Sequence, residues 1–367
     1  MNRARSIVSK QASGEGIMGR VLLVGLTIIL LIGLVGLVST PALAKGNRHH
    51  VVHPRACSKT ATAAYLACYN EKTDDYWIAQ GNCYNLDDPG DQAECFQEAK
   101  GEYKDAKAEC QDQLDARKDL CDELGEDPYD PPIDEIRWVN PERISAETAN
   151  PYFPLVRGYK WVYKTYDEDD EAKEIIETNT DEVLMETKEI MGVKCFVVHD
   201  IVYDGNNIDP DKIKEDTYDY YAQDVDGNVW YFGEFSLSFE EDLPSMEGSW
   251  IFGMDDAKPG IVMFANPLPE WVEVGTVYRQ EFLLGDAEDW AQMEDLEAEV
   301  SNSLSTIGNC EVGTSHCRGT AEGTPLEPDV IEHKYYKPGI GTVLETAPTD
   351  TASDGERTEL TRFAPSP

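Results

Sequence analysis

The sequence lacks the short motifs that mark many enzymes and cofactor sites. It contains no Gly-x-Ser-x-Gly nucleophile elbow, no His-Glu-x-x-His metalloprotease motif and no glycine-rich phosphate-binding loop. It also has no Cys-x-x-Cys, which removes the usual signature of thiol redox proteins, zinc ribbons and covalently attached c-type haem. We therefore assign no catalytic residue, predict no cofactor from a motif, and favour a protein that is not an enzyme.

Basic residues are also scarce. The chain has 31 Lys and Arg against 71 Asp and Glu, which gives a formal net charge of −40. Binding to nucleic acids and to anionic membranes depends on clustered Lys and Arg, so both functions are excluded. An acidic surface suits solubility, cations, basic partners or a salty environment, and composition does not choose among them.

The N-terminus has the layout of a secretory signal. A basic start with one acid precedes an apolar run of 18 residues, Val21 to Val38, and Ala42 and Ala44 then form a small-residue cleavage site. The alternative is an uncleaved anchor, because the run is just long enough to cross a bilayer core of about 30 Å. No cysteine follows Ala44, so no lipid anchor is expected. We predict a signal peptide at 1–44 and a secreted or periplasmic protein whose charge becomes −43 after loss of four basic residues and one acid.

Six cysteines are spaced symmetrically, at intervals of 11, 15, 12, 15 and 11 residues. Only one of the fifteen possible pairings joins each cysteine to its mirror image across the midpoint, Pro89, which lies within a strong turn signal. Steps of 11 and 15 turn a helix by only about 20° and about 60°, so three cysteines share one face of each helix. The pattern predicts an antiparallel helical hairpin at 55–125 with three disulfides: Cys57–Cys121, Cys68–Cys110 and Cys83–Cys95.

The hairpin resembles cysteine-stapled α-hairpins such as the coiled-coil-helix-coiled-coil-helix proteins. Those have two bridges at other spacings, so the resemblance implies the architecture and no function. Asp91 is the predicted cap of the second helix and Gly125 its predicted end. The hairpin is expected to act as a spacer, or as a rod that binds a partner.

Two short segments flank the hairpin. The tail at 45–54 contains His49, His50 and His53, which could bind a transition metal or simply belong to a mobile tail. The segment at 126–137 is rich in proline and acidic residues, and we expect a semi-rigid linker there.

Residues 138–363 change to short runs rich in Val, Tyr, Trp, Phe and Thr, separated by Asp-Gly and Pro-Gly turns, which is typical of antiparallel strands. Within this part only Asp286 to Val300 is predicted to be a helix. The fold class is therefore α + β: a stapled hairpin followed by a mainly antiparallel β domain, either a barrel, a half-barrel or a sandwich. The predicted strands are Tyr159 to Tyr166, Glu174 to Asn179, Glu182 to Ile190, Lys194 to Tyr203, Glu215 to Gln223, Asn228 to Phe239, Val277 to Leu284, Val330 to Lys337, Thr342 to Thr346 and Glu359 to Phe363.

Two motifs mark this part of the chain: Asn150-Pro-Tyr-Phe-Pro-Leu155 and the run from Asp216 to Glu234, which includes Tyr-Ala-Gln-Asp-Val-Asp-Gly-Asn-Val-Trp-Tyr-Phe-Gly-Glu. With them, about 200 residues resemble a domain of uncharacterised exported bacterial proteins. The resemblance implies no reaction, ligand or catalytic residue. It does imply a disulfide between Cys195 and Cys317, with Cys310 left over. Spacing alone also allows Cys195–Cys310, or a small loop from Cys310 to Cys317.

Two features of the β domain suggest binding. Asp224, Asp226 and Asn228 could bind calcium. An EF-hand register, however, would place Ala222 and Gly233 at positions that require acidic residues. A hairpin turn explains the same residues. A set of aromatic residues alternates along two neighbouring strands and would share one face, either as packed core or as the wall of an apolar ligand cavity. They are Tyr218, Tyr220, Trp230 and Phe232.

These observations predict a secreted or periplasmic, non-enzymatic binding or structural protein. Its partner would be a protein or a small molecule of unknown identity. The first alternative is an extracellular hydrolase that uses paired carboxylates, which needs two acids facing each other in a concave site. The second is a cation-binding protein that relies on acidic loops, with calcium as the candidate ion.

Overall fold

The computed structural model describes residues 55–168, 170–239, 243–311, 313, 316–347 and 355–365. The predicted signal peptide and the tail with His49, His50 and His53 lie outside these residues. Among the helices of the described part, none is long and apolar enough to cross a membrane.

The predicted hairpin is confirmed. Helix α1 spans Ala56–Tyr84 and helix α2 spans Pro89–Leu124. The three symmetric disulfides join them, with Cα–Cα distances of 5.7, 5.9 and 5.5 Å. These values lie within the range of about 4.4–6.8 Å that disulfides require, so the helices can pack closely along the row of sulfurs.

The ends of α2 follow standard capping chemistry. The N-cap is Asp88, three residues before the predicted Asp91, and its carboxylate accepts hydrogen bonds from the backbone N–H of Gly90 and Asp91. Pro89 at the first helical position explains the earlier start, because its fixed φ suits that position and its missing N–H is not needed there. Gly125 ends the helix as predicted, with a φ of 88°.

The chain then forms a nearly closed antiparallel β barrel, so the α + β prediction is confirmed. The order of hydrogen-bonded strands is β8-β10-β11-β12-β13-β14-β1-β2-β3-β4-β5-β7-β9, and β6 pairs with β5. The strands are β1 Lys160–Asp167, β2 Ile175–Ile190, β3 Val193–Asp204, β4 Ile213–Gln223, β5 Val229–Ser238, β6 Trp250–Ile251, β7 Lys258–Met263, β8 Val277–Arg279, β9 Glu281–Phe282, β10 Trp290–Ala298, β11 Cys317–Gly323, β12 Ile331–Lys337, β13 Gly341–Thr346 and β14 Glu356–Ala364.

The barrel closes through one short segment. Strands β8 and β9 are separated only by Gln280. At one end of the sheet β8 pairs with β10, and at the other end β9 pairs with β7. A side chain at Gly260 on β7 would collide with the backbone carbonyls of Arg279 and Gln280. Only glycine permits this close approach, so Gly260 is part of the closure.

The prediction of a helix from Asp286 to Val300 is wrong, because most of this segment is strand β10. Its acidic residues have moderate to good helix propensity, but the alternate residues Ala291 and Met293 are fully buried. Pairing with β8 and β11 on both sides overrides the local preference.

The other strand predictions differ from the structure in two ways. The predicted strands Glu174 to Asn179 and Glu182 to Ile190 are one long strand, β2, and the sequence analysis does not predict β6, β7 and β11.

The disulfide implied by the resemblance is not present. Cys317 is bonded to Cys310, with a Cα–Cα distance of 5.7 Å, and Cys195 is a free, fully buried thiol. The cause is strand geometry: Val300 and Cys310 form a β-bridge close to the start of β11, where Cys317 lies. Cys195 instead packs in an apolar cluster with Val197 and Phe232.

The segment at 126–137, expected as a linker, contacts both neighbours. The carboxylate of Glu126 accepts a hydrogen bond from the backbone N–H of Ser58 at the start of α1. The hydroxyl of Tyr129 donates to the carbonyl of Pro259 on β7 at 2.8 Å, and Ile133 is buried against the barrel wall. The hairpin is therefore held against the barrel by the segment that connects them.

Candidate functional site

A cavity of about 460 Å³ lies inside the barrel, and we call it the barrel cavity. Strands from around the whole barrel contribute to its lining, together with Phe153, Pro154 and Leu155 from the segment that precedes β1. The volume falls in the range of about 300–1,000 Å³ that is typical of small-molecule sites. The lining is mixed, with carboxylates on several strands and aromatic rings between them.

The Asn-Pro-Tyr-Phe-Pro-Leu motif forms part of this wall. Asn150 is 2% exposed, and its amide donates to the carbonyls of Gly227 and Phe264. Its side-chain oxygen accepts from the N–H groups of Tyr152 and Phe153. Asn150 thereby satisfies backbone groups of the segment before β1 and fixes the position of Phe153, Pro154 and Leu155 at the cavity.

The carboxylates face one another across neighbouring strands. Asp181 on β2 is directly opposite Asp200 on β3, and Asp219 on β4 is directly opposite Glu234 on β5. Like charges in directly opposed positions destabilise a sheet. In addition, Oδ1 of Asp181 and Oδ1 of Asp200 are buried and accept no hydrogen bond from any described residue.

Burial and mutual repulsion keep protons on these groups. Burial raises the pKa of Asp181, Asp200 and Asp219 well above the usual value, and neighbouring carboxylates raise each of them further. The same causes raise the pKa of Glu234 and of Glu281 to about 8. The cavity therefore gains negative charge as the pH rises through neutrality.

The opposite side of the cavity has its own cation. The ammonium group of Lys334 on β12 lies 3.4 Å from Glu322, 3.4 Å from Glu332 and 3.7 Å from Glu345. Burial by itself lowers the pKa of Lys334, but these three carboxylates together raise it well above its usual value. Lys334 is the one basic residue in the lining, which also contains nine Asp and Glu residues.

Aromatic rings complete the acidic side. Tyr221 on β4 and Tyr231 on β5 are stacked with centroids 4.7 Å apart, and the hydroxyl of Tyr231 donates to Asp219 at 2.6 Å. Trp161 and Tyr163 on β1 also line the cavity. Faces of such rings attract cations, so carboxylates and rings here favour the same kind of ligand.

The aromatic residues singled out from the sequence are on the other face of these strands. Tyr220, Trp230 and Phe232 are buried in an outer cluster, with Tyr218 packed against it, and the hairpin-connecting residue Ile133 belongs to the same cluster. Their neighbours in sequence, Tyr221 and Tyr231, are the ones that line the cavity. The sequence shows that aromatic residues alternate along β4 and β5, but it does not show which face of these strands points into the barrel.

The candidate calcium residues form a hairpin turn. The Oδ1 atom of Asp224 accepts from three backbone N–H groups, of Asp226, Gly227 and Asn228. Its Oδ2 atom accepts from the side chains of Asn228 and Trp230. The Asp224 carboxylate is thus fully engaged in holding the turn, where Gly227 has a φ of 101°. Across the described ranges, no group of three or more His, Cys, Asp and Glu side chains is placed to hold a metal ion.

Comparison with known proteins finds distant similarity to two solved structures. No protein-family model matches the chain. No curated protein gives a significant match. A solved structure of a "putative lipoprotein" from Parabacteroides distasonis is 12% identical, with a TM-score of 0.33, and the match covers 59% of this chain and 99% of that one. A "putative exported protein with YmcC-like fold" from Bacteroides fragilis is 14% identical, with a TM-score of 0.34, over 59% of this chain and 100% of that one.

Proposed function

We propose that this protein is an exported binding protein that holds a small organic cation in the barrel cavity. The observation that carries the proposal is the pair Asp181 and Asp200, which face each other across two strands and have buried oxygens without hydrogen-bond donors. Export is supported by the predicted signal peptide and by the disulfides, which persist in oxidising compartments.

A bound cation would remove the cost of this arrangement. Two directly opposed carboxylates destabilise the sheet when both are ionised, and buried acceptors without donors add to that cost. An ammonium group supplies both positive charge and N–H donors. Proteins commonly retain such a locally unfavourable arrangement where binding requires it.

We favour an organic ammonium compound over calcium. Calcium takes six to eight oxygen ligands, whereas the acidic side of this cavity also presents the stacked rings of Tyr221 and Tyr231. Aromatic faces bind ammonium groups by cation–π attraction but do not replace the oxygen ligands of a metal ion. The volume of about 460 Å³ also suits a ligand with a carbon skeleton.

We favour binding over hydrolysis. A hydrolase with two carboxylates needs their pKa values pushed apart, so that one is protonated while the other is ionised. Here the pKa values of Asp181, Asp200 and Asp219 are all raised, by the same two causes. These three aspartates store protons or bind cations, and they do not separate an acid from a base. Glu332 and Glu345, whose pKa values are shifted in opposite directions, both form ion pairs with Lys334.

Calorimetry with spermidine and choline as probes tests the proposal. Replacing either aspartate, as Asp181→Asn or Asp200→Asn, should weaken binding of the better probe by about tenfold or more, since one lost charge contact contributes about 1.4 kcal/mol or more. At neutral pH and above, the same variants should be slightly more stable than the wild type without ligand, because an amide neither ionises nor repels the carboxylate opposite. Glu189→Gln, an exposed change on the same strand, is the matched control and should leave affinity unchanged.

Three results would contradict the proposal. The first is that neither probe binds to the wild-type protein at neutral pH. The second is that Asp181→Asn binds the probe as tightly as the wild type. The third is turnover of glycosides or esters that Asp181→Asn abolishes, which would favour the hydrolase instead.

A further inference from the structure

A second cavity, of about 480 Å³, lies between the hairpin and the outside of the barrel, and we call it the junction cavity. One side is formed by the start of α1 and the end of α2, and the other by β7, β8 and β9. Most of its lining is apolar and includes Ala61, Leu124, Ile261, Phe264, Phe282 and Leu284. Trp271, which is 63% exposed, also belongs to the lining.

Two buried arginines interrupt this apolar lining. Arg117 on α2 is 4% exposed and makes a buried ion pair with Glu288, with Nη2 and Oε1 2.7 Å apart. Arg279 on β8 is 9% exposed and lies over the ring of Phe282, with its guanidinium carbon 4.4 Å from the ring centroid. No described carboxylate forms an ion pair with Arg279, and no described residue accepts a hydrogen bond from its side chain.

Both arginines have N–H groups that donate no hydrogen bond to a described residue. The Nη1 atoms of Arg117 and Arg279 are buried without a hydrogen-bond partner among the described residues. Burial lowers the pKa of Arg279, and the positive charge of Arg117 lowers it further, although Glu288 opposes this. Glu288 already accepts from Arg117 and from the backbone N–H of Gly285. The buried groups therefore carry one net positive charge, and the fourth charged residue of the lining, Asp127, is exposed to solvent.

We propose that the junction cavity binds a monocarboxylate with an apolar chain, such as a medium-chain fatty acid, with its carboxylate at Arg279 and Arg117 and its chain on the apolar lining. A guanidinium group binds a carboxylate through two parallel hydrogen bonds, which would satisfy the free donors. One negative charge matches the one uncompensated positive charge. A dianion such as phosphate is disfavoured, because Glu288 would repel the second charge.

This site is independent of the barrel cavity. It is lined by different residues, has the opposite charge, and includes the helical hairpin, which the barrel cavity does not touch. Failure of one proposal therefore leaves the other standing.

Titration calorimetry of the purified protein with decanoate tests the inference, with decanol and decyltrimethylammonium as matched probes. Decanoate should bind at least about tenfold more tightly than either, since the charge contact contributes about 1.4 kcal/mol or more. Arg279→Gln should weaken decanoate binding by at least about tenfold. Arg143→Gln removes the same charge at an exposed position outside the lining and should leave affinity unchanged.

Two further measurements keep the test decisive. Ala61→Leu fills the cavity from α1 without altering either arginine, and it should also weaken decanoate binding. Arg279→Lys keeps the positive charge and replaces Arg279→Gln if that variant fails to fold. It should bind decanoate more weakly than the wild type, because lysine cannot form the two parallel hydrogen bonds. The inference is overturned if decanoate does not bind, if decanol binds equally well, or if Arg279 variants bind decanoate like the wild type.

Discussion

At the scale of single residues, the same side chain has opposite roles at different positions. Asp224 is 4% exposed and accepts five hydrogen bonds, so its burial stabilises a turn. Asp181 has a buried oxygen with no donor and a like charge directly opposite. Asp224 has all its donors within the turn, whereas Oδ1 of Asp181 has no donor among the described residues.

A test at this scale concerns the free cysteine. Cys195 is fully buried and burial raises the pKa of its thiol, so an alkylating reagent should not label it in the native protein. After unfolding without a reductant, mass mapping should find one labelled cysteine, at Cys195, and none in Cys195→Ala. Label at Cys310 instead would restore the pairing of Cys195 with Cys317 and contradict the structure.

At the scale of secondary-structure elements, the hairpin is joined to the barrel by specific contacts. Arg117 on α2 reaches Glu288 in the turn before β10, and the amide of Gln113 donates to the carbonyl of Leu326 at 3.0 Å. The pair of Arg117 and Glu288 is almost completely buried. Removing one member alone should leave the other charged and unpaired in an apolar surrounding.

A double-mutant cycle tests this contact. Arg117→Met or Glu288→Met alone should lower the free energy of unfolding by about 3–5 kcal/mol. The double variant should lose less than the sum of the two, because no unpaired charge remains. Lys118→Met, on the same helix in an exposed ion pair with Asp115, is the control and should change stability by about 1 kcal/mol or less. Additive losses in chemical denaturation would show that the two residues do not interact.

At the scale of the whole molecule, the barrel concentrates carboxylates that hold protons near neutral pH. The pKa is raised to about 8 for Glu234 and Glu281, to about 7 for Glu345 and to about 6 for Asp289, in each case chiefly by burial. In this range the folded protein binds more protons than the unfolded chain. Its stability from these groups is therefore greatest at acidic pH and is lost as the pH rises through their folded pKa values.

The expected result is a melting temperature that falls from about pH 5 to about pH 9 without ligand. A bound organic cation should reduce the fall, because it stabilises the ionised carboxylates. Glu281→Gln removes one titrating group and should also make the pH profile flatter. Differential scanning fluorimetry gives all three profiles, and a melting temperature that rises over this range would contradict the assignment of the raised pKa values.

Local sequence patterns are sufficient to predict the hairpin, its three disulfides and most strands of the barrel. These depend on local spacing: cysteine intervals place three sulfurs on one helix face, and alternation with Asp-Gly turns marks antiparallel strands. Asp181 and Val183 are two positions apart and therefore share the face of β2 that lines the barrel cavity, but the sequence does not tell which face of a strand points inward.

Tertiary contacts determine the closure of the barrel, the assignment of Asp286 to Val300 to a strand, the pairing of Cys310 with Cys317 and the two cavities. The closure and the junction cavity depend on contacts between residues far apart in the chain, such as Arg117 with Glu288, which are 171 residues apart. Register and docking are fixed by the combined packing of many such contacts, and no local propensity encodes them. Both proposed sites depend on such contacts, because the fold buries carboxylate oxygens in one cavity and guanidinium N–H groups in the other without a hydrogen-bond partner among the described residues.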